Sequence, residues 1–244
     1  MLNQFSRTKI IYGEQAIKKL AECRVAVFGL GGVGGYALEA LARAGVGALD
    51  LIDNDTISLT NLNRQILALH STVGEYKTEV ASRRVKDINP DCKVKIYNTF
   101  YLPETAGDFD FKEYDYIIDA VDTITAKLAL IENANKTGTP IISSMGTGNK
   151  TDATSFSVAD IYETSACPLA RIMRKELKKR GISSLKVVYS TQEPVRDENS
   201  ADIIEAELVA SSTTRRDIPG SVSFVPATAG LLIAGEVIND LVNN

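Results

Sequence analysis

Short apolar runs alternate with helically spaced stretches through the first 150 residues. "RVAVFGL" is the continuous apolar run of a strand buried on both faces, the segment from Val33 to Ala44 has helical spacing, and "ALDLID" reads as a second strand. The spacing then predicts a helix from Lys77 to Ile88, closed by Asn89 and Pro90, and a third strand in "KVKIYN". "YDYIIDAVD" and "PIISSMG" flank a helical segment around Ala126 to Lys136, with Gly138 as its stop. This repetition predicts an α/β fold: a Rossmann-like, doubly wound, mostly parallel sheet.

The pattern loosens after residue 150. "TSFSVADIYE" and "SLKVVYSTQ" look like strands around a basic helix from Pro168 to Arg180, and the chain returns through "GSVSFVPATAGLL" to a terminal helix. Between them, Glu193 to Gly220 is rich in charge, Ser and Thr, and is expected to be a mobile crossing segment. No internal repeat is visible. The expected organisation is a core over residues 1–150 with a carboxy-terminal α+β extension, 151–244, continuous with it.

Bulk properties narrow the classes. The 244 residues suit one large domain or a core with an appendage, and a formal charge of -4 argues against a wholly basic, nucleic-acid-coating surface while leaving room for a local basic patch. Residues 1–20 mix polar, charged and apolar side chains without a signal-type apolar run, so the expected location is the cytoplasm. The most apolar tail, "VPATAGLLIAGEVINDLV", is broken by Glu236 and Asp240 and reads as a core helix rather than a membrane span. Cys23, Cys92 and Cys167 are widely spaced with no CxxC pair, which excludes a zinc knuckle of the usual spacing and fits a reducing compartment.

Candidate chemistry begins at "GLGGVGG". Gly29, Gly31, Gly32 and Gly34 let backbone N–H groups approach phosphate oxygens, while the following helix directs its positive end at the same anion. Asp53, with Asp55 beside it, follows about 20 residues later, where a Rossmann unit sets a carboxylate on ribose hydroxyls. NAD and ATP both carry a ribose. In "NLNRQ", Asn61, Arg64 and Gln65 add polar donors, and Lys77 begins the next helix; so many groups for phosphate suit a triphosphate better than a dinucleotide. Asp122 follows the apolar strand, on the edge where open α/β sheets bind ligands, and beside a triphosphate it is a natural Mg²⁺ ligand. A helix-capping role for Asp122 stays open, and Asp119, inside the strand, suits the metal less. Cys167, before Pro168, suits packing or capping, and His70, the only histidine, a surface or helix-end role.

"GLGGVGG", "LIDNDTISLTNLNRQ", Lys77 of "VGEYKTE" and the "DAVDT" around Asp122 together resemble the adenylation domain of the ubiquitin-activating (E1-like) superfamily, which includes the ThiF, MoeB and HesA proteins. The resemblance implies ATP and Mg²⁺, an ATP-binding adenylation core in 1–150, and a substrate-binding and dimerising extension in 151–244. It implies Asp53 on ribose, Arg64 and Lys77 on the phosphates, and Asp122 on Mg²⁺. Arg7, in "FSRTKIIYG", resembles the arginine that reaches into a partner subunit's ATP site, which implies a homodimer and a catalytic set of Arg7, Arg64, Lys77 and Asp122.

Two common features of the superfamily are missing: paired CxxC motifs, and a Cys on the crossing segment that takes over an acyl group. The second half, with "CPLARIMRKELKKRGI", "VVYSTQEPV" and "GSVSFVPATAGLLIAGEVI", resembles a narrower subfamily that dehydrates threonylcarbamoyladenosine in tRNA. That implies adenylation of the substrate's carboxylate and ring closure by an internal nitrogen, with loss of AMP. Arg171, Arg174, Lys175 and Lys178 recur at i, i+3, i+4 and i+7 along one helix face, a stripe able to contact tRNA phosphates. A sulfur-transfer accessory protein is a further partner class that the resemblance suggests. Two other readings stay open: ThiF- or MoeB-type adenylation of a ubiquitin-like sulfur-carrier protein, and a non-enzymatic nucleotide-binding scaffold.

Overall fold

The computed structural model describes residues 2–210 and 218–243. Its elements are α1 (Ser6–Glu22), β1 (Arg24–Phe28), α2 (Gly34–Ala44), β2 (Ala48–Ile52), α3 (Lys77–Ile88), β3 (Lys93–Tyr97), β4 (Tyr116–Asp119), α4 (Ile124–Thr137) and β5 (Ile141–Ser144). Then follow β6 (Phe156–Asp160), α5 (Pro168–Lys179), β7 (Lys186–Ser190), α6 (Ala201–Ala210) and α7 (Phe224–Asn243). One seven-stranded sheet runs in the order β3-β2-β1-β4-β5-β7-β6, parallel throughout except for β6 against β7. The strand order reverses between β1 and β4, which opens a crevice at their carboxyl ends.

Burial explains why these segments are strands. Val25, Ala26, Val27 and Phe28 of β1 are all buried, as a central parallel strand with helices on both faces requires. The α4 helix stops where Gly138 adopts the left-handed conformation at φ 72°, as its sequence position suggests. The strands beyond residue 150 join the same sheet as those before it.

The terminal helix α7 completes the core. Among the described residues it is long and apolar enough to cross a membrane, yet Ala229, Ile233, Val237 and Leu241 are buried in the main hydrophobic cluster together with α2. The acids that interrupt its apolar run are engaged: Asp240 accepts from Tyr116 Oη at 2.7 Å and Lys186 Nζ at 2.6 Å, and Glu236 lies 3.4 Å from the same lysine.

Two elements depart from the sequence reading. The α1 helix was not anticipated; it breaks at Gly13 (φ 83°) and buries only Ala16, Ile17 and Leu20, so its apolar periodicity is weak. The crossing segment expected to be irregular carries α6, because "ADIIEAELVA" concentrates helix formers while the Ser, Thr and Pro residues flank it. Residues 211–217 of that segment lie outside the described residues.

Close approach between α2 and α7 yields a stability prediction. A Cβ on Gly230 would lie 2.3 Å from the Val33 carbonyl oxygen, whereas one on Gly235 meets nothing within 4 Å. Gly230→Ala should therefore cost about 1–3 kcal/mol through overpacking, and Gly235→Ala should be neutral or stabilise by up to about 1 kcal/mol. Denaturant midpoints of the two variants check this, and equal midpoints would contradict it.

Candidate functional site

The glycine turn joins β1 to α2 at the crevice, and its glycines divide between two duties. Gly29 has φ +89° and a Cβ there would sit 2.6 Å from the Ala120 carbonyl oxygen; a Cβ on Gly34 would sit 1.8 Å from the Gly29 oxygen. Both are demanded by backbone packing among β1, β4 and α2. Gly32 lies under Pro226, whose ring carbons would be 3.2 Å from an added Cβ. Gly31 alone faces open space, with only Gln65 Nε2 at 3.9 Å. A phosphate approaching the start of α2 would meet the backbone at Gly31.

Asp53 stands just past β2 with its carboxylate turned into the turn. Leu30 N–H donates to Asp53 Oδ2 at 2.7 Å and Asp55 N–H to Oδ1 at 2.8 Å. Burial pushes the Asp53 carboxyl above its ordinary pKa, with the Lys77 charge and the two N–H groups opposing. Lys77, buried at the start of α3, pairs with Asp55 Oδ2 at 2.7 Å and lies 3.9 Å from Asp53 Oδ1. Asp53, Asp55 and Lys77 thus form one cluster.

The "NLNRQ" turn stands opposite. Asn61 Oδ1 accepts from Ser58 N–H at 3.2 Å, so this side chain caps its own 3-10 turn, Leu59–Asn61. Arg64 Nη1 donates to the Thr60 carbonyl at 2.9 Å and to Asn63 Oδ1 at 3.0 Å. Burial lowers the Arg64 pKa, with the Glu207 charge opposing. Gln65 is buried and its Oε1 has no hydrogen-bond partner.

Asp122 is exposed just beyond β4. The N-cap of α4 is Thr123, so Asp122 lies one residue outside the capping position; the buried Oγ1 of Thr123 also has no partner. The two buried side-chain polar atoms without a partner among the described residues, Gln65 Oε1 and Thr123 Oγ1, thus belong to the Gly31-facing turn and to the neighbour of Asp122. Unmet hydrogen-bonding capacity of this kind fits a polar ligand with its water shell. Among the described residues no three His, Cys, Asp or Glu side chains converge as a metal cluster, so Mg²⁺ at Asp122 would take its other ligands from phosphate and water.

Asp119, the weaker metal candidate of the strand, is committed to the interior. It accepts from Lys127 Nζ at 3.1 Å through both oxygens and from Ser143 Oγ at 2.5 Å, and Lys127 also donates to the Ser144 carbonyl at 2.7 Å. The pair brackets Asp122, with Asp119 closing β4 and Lys127 in the first turns of α4. Lys127 was missed by sequence reasoning. The available signal was an Asp in an apolar strand, which needs a buried partner.

On α5, Ala170, Met173 and Leu177 face the core, while Arg171, Lys175 and Lys178 are exposed with no partner among the described residues. Arg174 is half-buried and its guanidinium holds the carbonyl and hydroxyl of Thr164. The stripe is therefore three free cations and one tethered one. Arg7 is exposed on the first turn of α1, Cys167 is the buried N-cap of α5, and His70 is exposed on a 3-10 turn.

Comparison with known proteins bears on both halves. The model of the ThiF family matches residues 4–244. The chain is 42% identical over 247 residues to the tRNA threonylcarbamoyladenosine dehydratase of Bacillus subtilis (strain 168), covering 100% of this chain and 96% of that protein. It is 34% identical over 249 residues to the protein of the same name from Escherichia coli (strain K12), covering 98% and 93%. The solved structure of the Escherichia coli tRNA N6-threonylcarbamoyladenosine dehydratase in complex with ATP superposes with a TM-score of 0.85 at 33% identity, over 98% of this chain and 93% of that one.

Two measurements follow from the buried charges. Lys127→Met strands Asp119 and should cost about 3–5 kcal/mol, whereas Asp119→Leu combined with Lys127→Met should recover part of the loss; a double variant less stable than the single would contradict the pairing. A carboxyl raised in the folded state stabilises folding at acid pH, and that contribution is lost as pH rises through its folded value. Relative stability should therefore shift towards Asp53→Asn as pH rises above the ordinary aspartate value of 3.8 in denaturant titrations, and the opposite trend would contradict the burial effect.

Proposed function

Since the chain belongs to the ThiF family, we propose that it is an ATP-dependent dehydratase of N6-threonylcarbamoyladenosine in tRNA. The observation that carries this reading is the full-length similarity to dehydratases of that name, which extends through the second half that sets the subfamily apart.

The site suits the chemistry. ATP lies with its phosphates at Gly31 and the start of α2, Asp53 takes the ribose, and Arg64 and Lys77 neutralise phosphate charge. Asn61 and Gln65 complete the polar wall, and Asp55 holds Lys77 in place. Asp122, together with the phosphates, would hold Mg²⁺, which would neutralise charge on the departing pyrophosphate. A carboxylate oxygen of the threonylcarbamoyl group attacks the α-phosphorus, and the bond to pyrophosphate breaks. An internal nitrogen then attacks the acyl carbon, its proton leaves, and the carbon–oxygen bond to AMP breaks. The ring has formed with net loss of water. Attacking and attacked atoms already share one molecule, so no enzyme nucleophile is required and a buried Cys167 is no obstacle.

In this reading residues 1–150 form the adenylating core, and 151–244 bind substrate and support dimerisation. Arg7 serves the site of a second copy; beside it Leu2, Ile10 and Ile11 are 93, 84 and 80% exposed, which suits an apolar contact between copies. Arg171, Lys175 and Lys178, aided by Arg174, bind tRNA phosphates in a cytoplasmic enzyme, and a sulfur-transfer accessory protein is the remaining partner class.

Pyrophosphate exchange into ATP should depend on tRNA carrying threonylcarbamoyladenosine and should fail with a Gly-Gly-ended carrier protein; the reverse dependence would overturn the reading. Lys175→Ala with Lys178→Ala should weaken tRNA binding by about 1 kcal/mol or more per contact and flatten its salt dependence, with ATP affinity unchanged. Unaltered tRNA binding at several salt concentrations would remove α5 from the interface.

A further inference from the structure

A cavity of ≈ 600 Å³ lies beside the Arg64 turn, between it, the segment around Asn149 and the crossing segment that carries α6. Its size falls in the range of small-molecule sites, about 300–1,000 Å³. Asn63 and Arg64 form one wall, and Val195, Ile204, Ile218 and Val222 line others. None of the lining residues belongs to the glycine turn, so the cavity adjoins the phosphate site without coinciding with it.

We infer that this cavity receives the modified adenine base itself, its apolar wall against the base and its Arg64 side towards the carboxylate. The inference rests on the dehydratase reading and deepens it. A carboxylate that attacks the α-phosphorus must lie beside the cation that holds phosphate, and the rest of its molecule must lie within one side-chain length of that point. The cavity has that position, because Arg64 lines it. An enzyme that works on a base inside folded tRNA must take it out of its stack and enclose it, using apolar contact for the ring face and polar groups for its edge.

The crossing segment is built to supply such a wall. None of the α6 side chains described, Ala201 to Val209, is buried, and Ile203 is 69% exposed although it lines the cavity, so the helix presents apolar surface that the described residues leave uncovered. Both ends of the segment are nevertheless fixed at one residue. Asn149 accepts from Val195 N–H at 2.7 Å through its carbonyl, donates its N–H to the Gly220 carbonyl at 2.8 Å, and accepts from Gly220 N–H at 2.7 Å through Oδ1. It does so at φ 57°, a conformation Asn tolerates better than most residues. Asn63 Nδ2 adds a bond to the Ser221 carbonyl at 2.9 Å, which ties the Arg64 turn to the far end of the segment. Two walls of the cavity are thus held in register before a ligand arrives, which lowers the ordering cost of binding.

The test fills the cavity. Ile204→Trp and, from another wall, Ile218→Trp should each raise the KM for modified tRNA at least tenfold while ATP affinity by calorimetry stays within twofold. Val209→Trp, on the same helix at a position 76% exposed and outside the cavity, should leave KM unchanged. Free N6-threonylcarbamoyladenosine, titrated with a non-hydrolysable ATP analogue present, should bind the parent and neither cavity variant. If the parent dehydrates modified tRNA and both cavity variants keep its KM, the inference is overturned and the dehydratase reading stands. A parent inactive on modified tRNA overturns both.

Discussion

Everything at the site depends on backbone approaching backbone more closely than a side chain permits. The Gly29 oxygen occupies the place of a Cβ on residue 34, the Ala120 oxygen crowds the place of one on residue 29, and the Val33 oxygen that of one on residue 230. These contacts run in sequence from the end of β4 through the turn and α2 to α7. They press α2 against the ends of two neighbouring parallel strands and leave Gly31 as the open point of the turn. The anion binding proposed for the turn would thus be a by-product of packing, since a helix held that close presents its first N–H groups at the crevice.

Charges around that point are arranged before a ligand arrives. Asp53 is buried and held by two N–H groups, Lys77 already leans on Asp55, and Arg64 is held by a carbonyl and an amide. Burial raises the carboxyl of Asp53 and lowers the Arg64 pKa, so each disfavours its own charge in the free protein. Under the proposed function, a phosphate at Arg64 would add negative charge beside a guanidinium whose charge burial disfavours. Beneath, the Asp119–Lys127 pair fixes the two ends of the segment carrying Asp122, so the position of that carboxylate is inherited from the core.

Much of this was legible in the chain. Buried parallel strands leave continuous apolar runs, and the helix from Lys77 to Ile88 begins and ends where its spacing and its Asn-Pro stop say it should. The glycine turn, Asp53 and the polar and cationic side chains of "NLNRQ" could be gathered because local motifs carry them. What escaped depends on tertiary pairing or on surface left uncovered. Nothing local marks Lys127 as the partner of Asp119, or Arg174 as bound to Thr164 rather than free with its neighbours. The α6 helix escaped because none of its described side chains is buried, so its sequence shows no two-sided pattern to read. The division of the four glycines between packing and ligand approach needs the neighbours in three dimensions.

The central claim is that the carboxylate of the threonylcarbamoyl group becomes an acyl-adenylate on this site. Substrate tRNA labelled with oxygen-18 in that carboxylate, turned over with unlabelled ATP and analysed by mass spectrometry of the products, tests it directly. The account predicts AMP that carries one labelled oxygen from the carboxylate, together with unlabelled pyrophosphate. Unlabelled AMP, or label in inorganic phosphate, would contradict it.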